Sequence, residues 1–289
     1  MAWKRNLKVA LARTTGYELR RMGGHRRRRA GLPGDRMVTA PAFILCTVRS
    51  GSTLLRVLLD SHSQIHAPQE LHLRDVAVKM RTGYAEQALG EIGLDTRQLE
   101  YLLWDRVLHR ELEFSGKQHV VNKTPTDVFI VDRLLECWPD ARFIFLLRHP
   151  LAIARSRQEL RPDEAEESNV AMVLRYGEAL ELARRAHPGF SVRYEDLVAD
   201  PKGITQQLCG FLGVPWEPQM LEYGRFDHGR YRPALGDWKD KIKSGRVQPA
   251  APLPPADEVP PALRALCADW GYLPREQGQA QLRLQAQPS

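Results

Sequence analysis

The chain contains four short apolar runs, and each of them leads into a polar turn and then a helical pattern. The runs cover residues 42–46, 119–122, 142–147 and 190–193. Continuous apolar runs of this length are typical of strands that are buried on both faces of a parallel sheet. Because strands and helices alternate, we predict an α/β fold of three layers, in which helices flank a central parallel sheet of four to five strands.

Helical spacing of apolar residues predicts the remaining elements. The predicted helices cover residues 54–59, 71–81, 95–113, 128–138, 165–186 and 261–268. A further helix contains Ser156, and another follows residues 194–197 and ends near residue 213. The two helices at residues 71–81 and 95–113, which a glycine-containing link joins, form an insertion. We expect this insertion to cover the edge of the sheet and to shape the substrate side.

Length and composition favour one globular domain. With 289 residues, of which 43% are hydrophobic, the chain is long enough for one large α/β domain. We place this domain at residues 37–275. A basic N-terminal extension (residues 1–36) precedes it, and a polar C-terminal tail (residues 276–289) follows it.

The positive charge narrows the choice of partners. The formal net charge is +7, and much of the excess lies in residues 1–36. We favour a solvated tail there. The alternative is a segment that binds an anionic membrane surface or an acidic carrier protein. We expect no specific nucleic-acid partner.

Cysteine usage and hydropathy predict the compartment. Cys46, Cys137, Cys209 and Cys267 lie among apolar residues without metal-ligand spacing, so we expect buried thiols in a reducing compartment. No apolar run approaches the roughly 20 residues that span a bilayer, and the basic start lacks the apolar core of a signal peptide. We therefore predict a cytoplasmic protein, peripheral to the membrane if residues 1–36 bind lipid.

The turn after the first strand has the composition of an anion site. It reads Arg49, Ser50, Gly51, Ser52 and Thr53 and runs directly into a helix. Such a turn aims several backbone N–H groups and the positive end of the helix at one point. It resembles a P-loop in form, but the lysine and the metal-binding hydroxyl of G-x-x-x-x-G-K-[ST] are missing. We therefore expect a phosphate-like group bound without a metal.

The turn after the third apolar run offers a second anion pocket. Arg148 follows this run, and Ser156 comes eight residues later across the start of a helix. A guanidinium and a hydroxyl in these places can clamp a phosphate. Because the turns after parallel strands meet at one edge of the sheet, the two pockets predict a nucleotide with phosphates at two places.

Together these motifs resemble those of the sulfotransferases that use 3′-phosphoadenosine 5′-phosphosulfate (PAPS). TVRSGSTLL is similar to the family's 5′-phosphosulfate loop, RFIFLLRHPLAIARS to its 3′-phosphate motif, and VRYEDLVADPKGITQQLCGFLGVPWEP to the strand–helix segment that follows. The resemblance runs from Phe43 to about Trp270 and is closest to the tyrosylprotein and bacterial natural-product types. It implies a sulfotransferase enzyme with a P-loop-like fold, PAPS as donor, PAP as product and no metal.

The resemblance also implies which residues bind the cofactor. GDWK at residues 236–239 is similar to a family segment, whereas Tyr231, Arg232 and Pro233 replace the RKG triplet that precedes it in cytosolic members. Arg232 can stand in for the lysine of that triplet, and basic residues further along are candidates to close over the cofactor. The full cofactor-binding set is Arg49, Ser50, Gly51, Ser52, Thr53, Leu54, Arg148, Ser156, Tyr194, Lys241, Lys243 and Arg246.

The catalytic residues follow from the same resemblance. Glu70 matches the acceptor-activating glutamate of the tyrosylprotein type, and Lys123 in VNKTP matches a lysine that contacts the transferring sulfonyl group. Arg49 is expected to stabilise the same charge. His66 and His72 flank Glu70, and either can be the base itself or a partner that orients it.

The function that the resemblance implies is transfer of a sulfonyl group from PAPS to a hydroxyl of a small-molecule, sugar or carrier-bound acceptor, with Glu70 as the general base. One alternative is a nucleotide-dependent kinase of related topology, which the missing P-loop lysine disfavours. The other is a basic adaptor for membranes or nucleic acid built on residues 1–36.

Overall fold

The computed structural model describes residues 36–229 and 240–275, and within them a five-stranded sheet lies at the centre. The strands are β1 (Ala42–Cys46), β2 (Ile65–His66), β3 (His119–Lys123), β4 (Arg142–Leu147) and β5 (Gly189–Arg193). Their spatial order is β2-β3-β1-β4-β5, and every neighbouring pair is parallel. The predicted α/β fold with a parallel sheet of four to five strands is confirmed.

Helices cover both faces of this sheet. In the part of the chain that the structure describes, they are α1 (Ser52–Asp60), α2 (Gly83–Glu91), α3 (Thr96–Ser115), α4 (Val131–Cys137), α5 (Pro150–Gln158), α6 (Glu166–Ala186), α7 (Tyr194–Ala199), α8 (Pro201–Leu212) and α9 (Pro261–Asp269). Short 3₁₀ turns lie at Leu73–Asp75, Pro125–Phe129, Pro218–Arg225, Asp240–Ser244 and Ala256–Glu258.

Side chains of β1 alternate between two cores on opposite faces of the sheet. Phe43 and Leu45 pack with Trp104 and Trp138 on one face. Ile44 packs on the other face with residues of α1 and α8. Burial on both faces explains why the strand reads as an unbroken apolar run.

The strand order places the switch point of the sheet at β1. β3 lies on one side of β1 and β4 on the other. In open parallel sheets ligands bind beyond the carboxyl ends of the strands at such a point. Three predicted site segments follow the ends of these strands: the turn with Arg49, Lys123 itself, and Arg148.

One predicted helix is wrong. Residues 71–81 form only the 3₁₀ turn Leu73–Asp75, because the chain leaves the helical conformation at Val76, whose backbone is extended (φ −88°, ψ 115°). The helix of this region is α2, which begins after Thr82, whose side chain accepts a hydrogen bond from Ala85 N. None of its residues is buried, so the sequence shows no apolar period there.

Other elements differ only in their limits. The helix predicted to follow residues 194–197 begins earlier, at Tyr194, and is divided into α7 and α8 at Pro201, as expected for a residue that lacks an N–H group. The helix predicted at residues 128–138 consists of a 3₁₀ turn followed by α4. β2 was not predicted, since a strand of two residues shows no alternation.

The described residues bear on two further predictions. The four cysteines are free thiols and are buried, as predicted. No described helix has the length and apolar content that a membrane span requires. The N-terminal extension up to residue 35, the GDWK segment with Arg232, the side chain of Lys241 and the C-terminal tail lie outside the residues that the structure describes.

Candidate active site

The turn between β1 and α1 has the backbone of an anion cradle. Arg49 and Gly51 both have positive φ, at 65° and 85°. The first hydrogen bonds of the helix run to Gly51 O from Leu54 N and Leu55 N. The N–H groups of Gly51 and Ser52 precede these bonds, so the helix leaves them available to a ligand.

Gly51 is required by a neighbour as well as by its backbone. A Cβ atom at this position would lie 2.2 Å from Cδ2 of Tyr194, the first residue after β5. Any larger side chain would therefore displace the tyrosine ring. The ring of Tyr194 is one wall of the cradle.

Arg148 joins the second pocket to the first. Its Nη1 donates to Arg49 O at 2.7 Å, and its guanidinium lies 4.7 Å from the centre of the Tyr194 ring. Arg49 Nε donates to Ser156 Oγ at 3.4 Å, so side chains cross between the two turns in both directions. Nε of Arg148 is buried and has no hydrogen-bond partner among the described residues. The predicted phosphate-binding residues of the two turns thus form one crevice.

Glu70 and Lys123 form a buried ion pair at the end of β3. Lys123 Nζ donates to Glu70 Oε1, and the two side chains are 1% and 8% exposed. Charged groups at this burial persist in pairs, because an isolated buried charge is strongly disfavoured. Two predicted catalytic residues, 53 positions apart in the chain, therefore meet.

The two histidines that flank Glu70 have different surroundings. His72 Nε2 lies 3.4 Å from Glu70 Oε2, and its Nδ1 lies 3.7 Å from Asp75 Oδ2. His66 instead contacts the carboxylates of Asp60 and Glu111, at 3.4 and 3.2 Å. His72 is therefore the histidine in contact with the predicted base.

Two predicted site residues carry strained backbone. Within residues 36–229 and 240–275, Arg49 and His72 are the non-glycine residues with positive φ. Such conformations cost about 1–2 kcal/mol and cluster at functional sites. One outlier lies in the anion cradle, and the other lies beside Glu70.

Asp127 and Asn122 support this site and were not predicted. Asp127 is fully buried, and Asn122 Nδ2 donates to its Oδ2 at 2.8 Å. Burial raises the pKa of Asp127 to about 8, and the nearby negative charges of Glu70 and Asp75 act in the same direction. Both residues flank Lys123 in the sequence NKTPTD, but only their burial distinguishes them from ordinary turn residues.

Cys46 lies under the cradle as a neutral thiol. It is the last residue of β1 and is fully buried. Burial raises its pKa to about 11, although Lys123 and hydrogen bonds from Ser52 and Ser50 act against this rise. The thiolate is therefore suppressed at neutral pH, and the thiol fills space beneath the turn.

Lys243 and Arg246, predicted to close over the cofactor, lie on a separate segment. Both are exposed. Tyr223 OH donates to Arg246 O at 2.8 Å, and the buried Ile242 packs in the same core as Tyr223. These contacts attach the segment to the turn Pro218–Arg225, which packs on α1.

Known sulfotransferases are similar to this chain in sequence. Protein-tyrosine sulfotransferase 1 of Danio rerio is 29% identical over 202 residues, which cover 63% of this chain and 55% of that protein. The omega-hydroxy-beta-dihydromenaquinone-9 sulfotransferase Stf3 of Mycobacterium tuberculosis is 28% identical over 160 residues, which cover 47% of this chain and 40% of that protein. The chain thus spans about half the length of the curated relatives it matches.

Solved structures share the fold. The sulfotransferase domain from the curacin biosynthetic pathway superposes with a TM-score of 0.58 and 24% identity, over 82% of this chain and 99% of that domain. The sulfotransferase domain from the Synechococcus PCC 7002 olefin synthase gives a TM-score of 0.52 and 25% identity, over 76% and 93%. A family model described as "Sulfotransferase family" matches residues 41–218. Since this match takes in the whole sheet and every element from β1 to α8, the chain belongs to the sulfotransferase family.

Proposed function

We propose that this protein transfers a sulfonyl group from PAPS to the hydroxyl of a small-molecule, sugar or carrier-bound acceptor, with Glu70 as the general base. The observation that carries the proposal is the buried Glu70–Lys123 pair at the end of β3, the strand next to β1, whose terminal turn forms the anion cradle. A proton acceptor and a cation near an anion cradle are what sulfonyl transfer requires.

The residues of the crevice fit PAPS in shape and in chemistry. The absence of a side chain on Gly51 lets the Tyr194 ring pack directly against the turn and form one wall of the cradle. Arg148 Nε and Thr47 Oγ1 are buried polar atoms without partners in the part of the chain that the structure describes. The turn from Arg49 to Thr53 would hold the 5′-phosphosulfate, and Arg148 with Ser156 would hold the 3′-phosphate. When bound, PAPS supplies the sulfonyl group and a phosphate leaving group.

The chain's own residues then have separate roles. Glu70 Oε1 accepts a hydrogen bond from Lys123 Nζ, so Oε2 is the oxygen that would take the proton of the acceptor hydroxyl. Lys123 and Arg49 stabilise the negative charge that grows on the sulfonyl and leaving oxygens. His72, 3.4 Å from Oε2, orients this carboxylate and can pass the proton on.

The names of the relatives support a hydroxyl acceptor. Two of them are named for a tyrosine of a protein and for an omega-hydroxy dihydromenaquinone. Both names describe hydroxyl-bearing groups, but of different size and polarity. We therefore propose the hydroxyl as the reacting group.

Calorimetric titration with PAP tests the donor half of the proposal. Saturable binding with one site per chain is expected, and its absence in the wild-type protein would contradict PAPS dependence. Once a screen of phenols, sugars and carrier-linked alcohols has found an acceptor, Glu70→Gln tests the base.

We expect Glu70→Gln to lower turnover roughly 100- to 10,000-fold, because general-base catalysis contributes about this much. Affinity for PAP should be unchanged. Glu136→Gln, on a half-exposed side chain that pairs with Arg97, is the matched control. Turnover of Glu70→Gln close to that of the control would transfer the role of base to His72.

A further inference from the structure

Tyr194 and Glu195, the two residues after β5, connect both anion pockets to the C-terminal part of the domain. The ring of Tyr194 lies against Gly51 on the cradle and under the guanidinium of Arg148. The next residue, Glu195, forms no ion pair with its carboxylate oxygens among the residues that the structure describes, although its charge acts on the neighbouring Arg193. Each oxygen accepts one hydrogen bond from a neutral donor.

The first of these donors belongs to the turn that carries Arg148. Glu195 Oε1 accepts from the backbone N–H of His149 at 3.1 Å. His149 is 2% exposed and directly precedes α5, so this bond fixes the backbone from which the Arg148 side chain extends. A shift of this backbone would move the guanidinium relative to Ser156, which is on α5 itself.

The second donor comes from 77 residues further along the chain. Tyr272 OH donates to Glu195 Oε2 at 2.5 Å, and its ring packs 4.9 Å from the ring of His149. Burial and the carboxylate of Glu195 hold the pKa of Tyr272 far above its usual range, so the hydroxyl remains a donor. Burial also lowers the pKa of His149, which favours the neutral form of the ring that packs against the tyrosine.

Tyr272 is itself held in place by the core. Its backbone N–H donates to Cys267 O at 2.8 Å, at the end of α9. Leu266 and Cys267 of this helix are buried in the same core as the residues of α6. The hydroxyl therefore reaches Glu195 from a fixed support.

We propose that Tyr272 and Glu195 are positioning residues that set the place of Arg148 and so determine how well the crevice distinguishes a nucleotide with a 3′-phosphate from one without. This inference rests on the proposed function, because it assigns the 3′-phosphate to Arg148. At metal sites, removing a group that orients a ligating side chain typically lowers affinity about 10- to 100-fold, and we expect an effect at the lower end of this range for a side chain that orients Arg148. The loss of affinity should be limited to nucleotides that carry the 3′-phosphate assigned to Arg148.

Calorimetric titration of wild-type protein and Tyr272→Phe with PAP and with adenosine 5′-monophosphate tests the inference. The two nucleotides differ in the 3′-phosphate. We expect Tyr272→Phe to lower the affinity for PAP roughly tenfold and to leave the affinity for the monophosphate unchanged. Tyr101→Phe is the matched control, because Tyr101 OH also donates to a glutamate, Glu136, at 2.7 Å but far from the crevice.

Three outcomes separate the explanations. An unchanged ratio of the two affinities in Tyr272→Phe, whether both fall together or neither falls, would overturn the positioning role. A wild-type protein that binds neither nucleotide would remove the proposed function, and with it the inference. If Tyr272→Phe does not fold, Glu195→Gln and Glu195→Ala replace it. The amide oxygen can still accept from His149 N, so the glutamine variant should retain the PAP preference and the alanine variant should lose it.

Discussion

The two sides of β1 hold their positive charges in opposite ways. On the β3 side, Lys123 is buried and paired with Glu70. On the β4 side, Arg148 contacts a backbone carbonyl and an aromatic ring, and no described residue forms an ion pair with it. The first cation is balanced by the protein and can stabilise only charge that appears during a reaction. We propose that the second meets the negative charge of a ligand.

Removing the charge of Lys123 should give the largest losses of stability and of turnover. Lys123→Met leaves Glu70 buried without its cation, and the loss of one partner of a buried pair costs about 3–5 kcal/mol of unfolding free energy. Sulfonyl transfer should fall roughly 100- to 1000-fold, because an electrostatic donor at the reacting group is lost. Urea unfolding and turnover measure the two effects.

The double variant Lys123→Met/Glu70→Gln separates stability from catalysis. It removes both charges, so much of the lost unfolding free energy should return while turnover stays low. Lys79→Met, on an exposed side chain, is the control for loss of a lysine. If Lys123→Met is as stable as Lys79→Met, the charge of Lys123 does not stabilise the buried carboxylate of Glu70.

Removing the charge of Arg148 should weaken the binding of PAP more than it lowers the stability of the fold. Arg148 balances no carboxylate of the described residues but donates to Arg49 O, so Arg148→Gln should lower the unfolding free energy by only about 0.5–1.5 kcal/mol, less than Lys123→Met does. Its affinity for PAP should weaken by about 1.5–3 kcal/mol, the usual contribution of a hydrogen bond to a charged group. Titration calorimetry and urea unfolding measure both quantities.

The control for Arg148→Gln is a variant on helix α5. Arg155 is half exposed and pairs with Glu258, so Arg155→Gln makes the same change of charge away from the crevice. It should bind PAP as the wild type does. A variant of Arg148 that is unstable yet keeps its PAP affinity would place the residue among the structural ion-pair groups.

The third prediction concerns the uncharged state of Asp127 on the β3 side of β1. The pKa of Asp127 is about 8 in the folded protein, against an ordinary value of 3.8, so the folded state binds an extra proton between these values. The stability that this proton provides is complete below about pH 4 and is lost as pH rises through 8, at about 1.4 kcal/mol per pH unit.

Asp127→Asn removes this dependence on pH. Its amide can also donate to Asn122 Oδ1, which has no partner among the described residues. The variant should therefore gain stability relative to the wild type as pH rises from 5 to 8, in urea unfolding at several pH values. Parallel stability curves for the two proteins would contradict a protonated Asp127.

Burial on both faces made the central strands predictable. β1 and β4 are unbroken apolar runs, and the polar turns that follow them indicated the two anion pockets and the family from sequence alone. α2 and β2 were not predictable in this way. The helix buries none of its residues, and the strand has only two, so neither leaves a periodic trace in the sequence.

The residues of the site that belong to local sequence motifs were predictable, whereas the contacts between distant segments were not. Glu70 and Lys123 were named from the family resemblance, but their direct contact is a product of the fold. The raised pKa of Asp127 and the bond from Tyr272 to Glu195 depend on burial and on contacts between distant segments. Their roles in sulfonyl transfer stay predictions until the variants are measured.

The position of β1 in the sheet has a consequence for how this fold diversifies. The chain between β1 and β3 supplies Glu70, and the chain after β4 supplies Arg148 and Tyr194. If Glu70 and Arg148 have the proposed roles, insertions and substitutions in residues 67–118 would change the surroundings of the acceptor, while the proposed cofactor contacts of Arg148 and Tyr194 would be kept. Proteins with this sheet could then evolve to use new acceptors through changes on the β3 side of the crevice, while the residues on the β4 side stay the same.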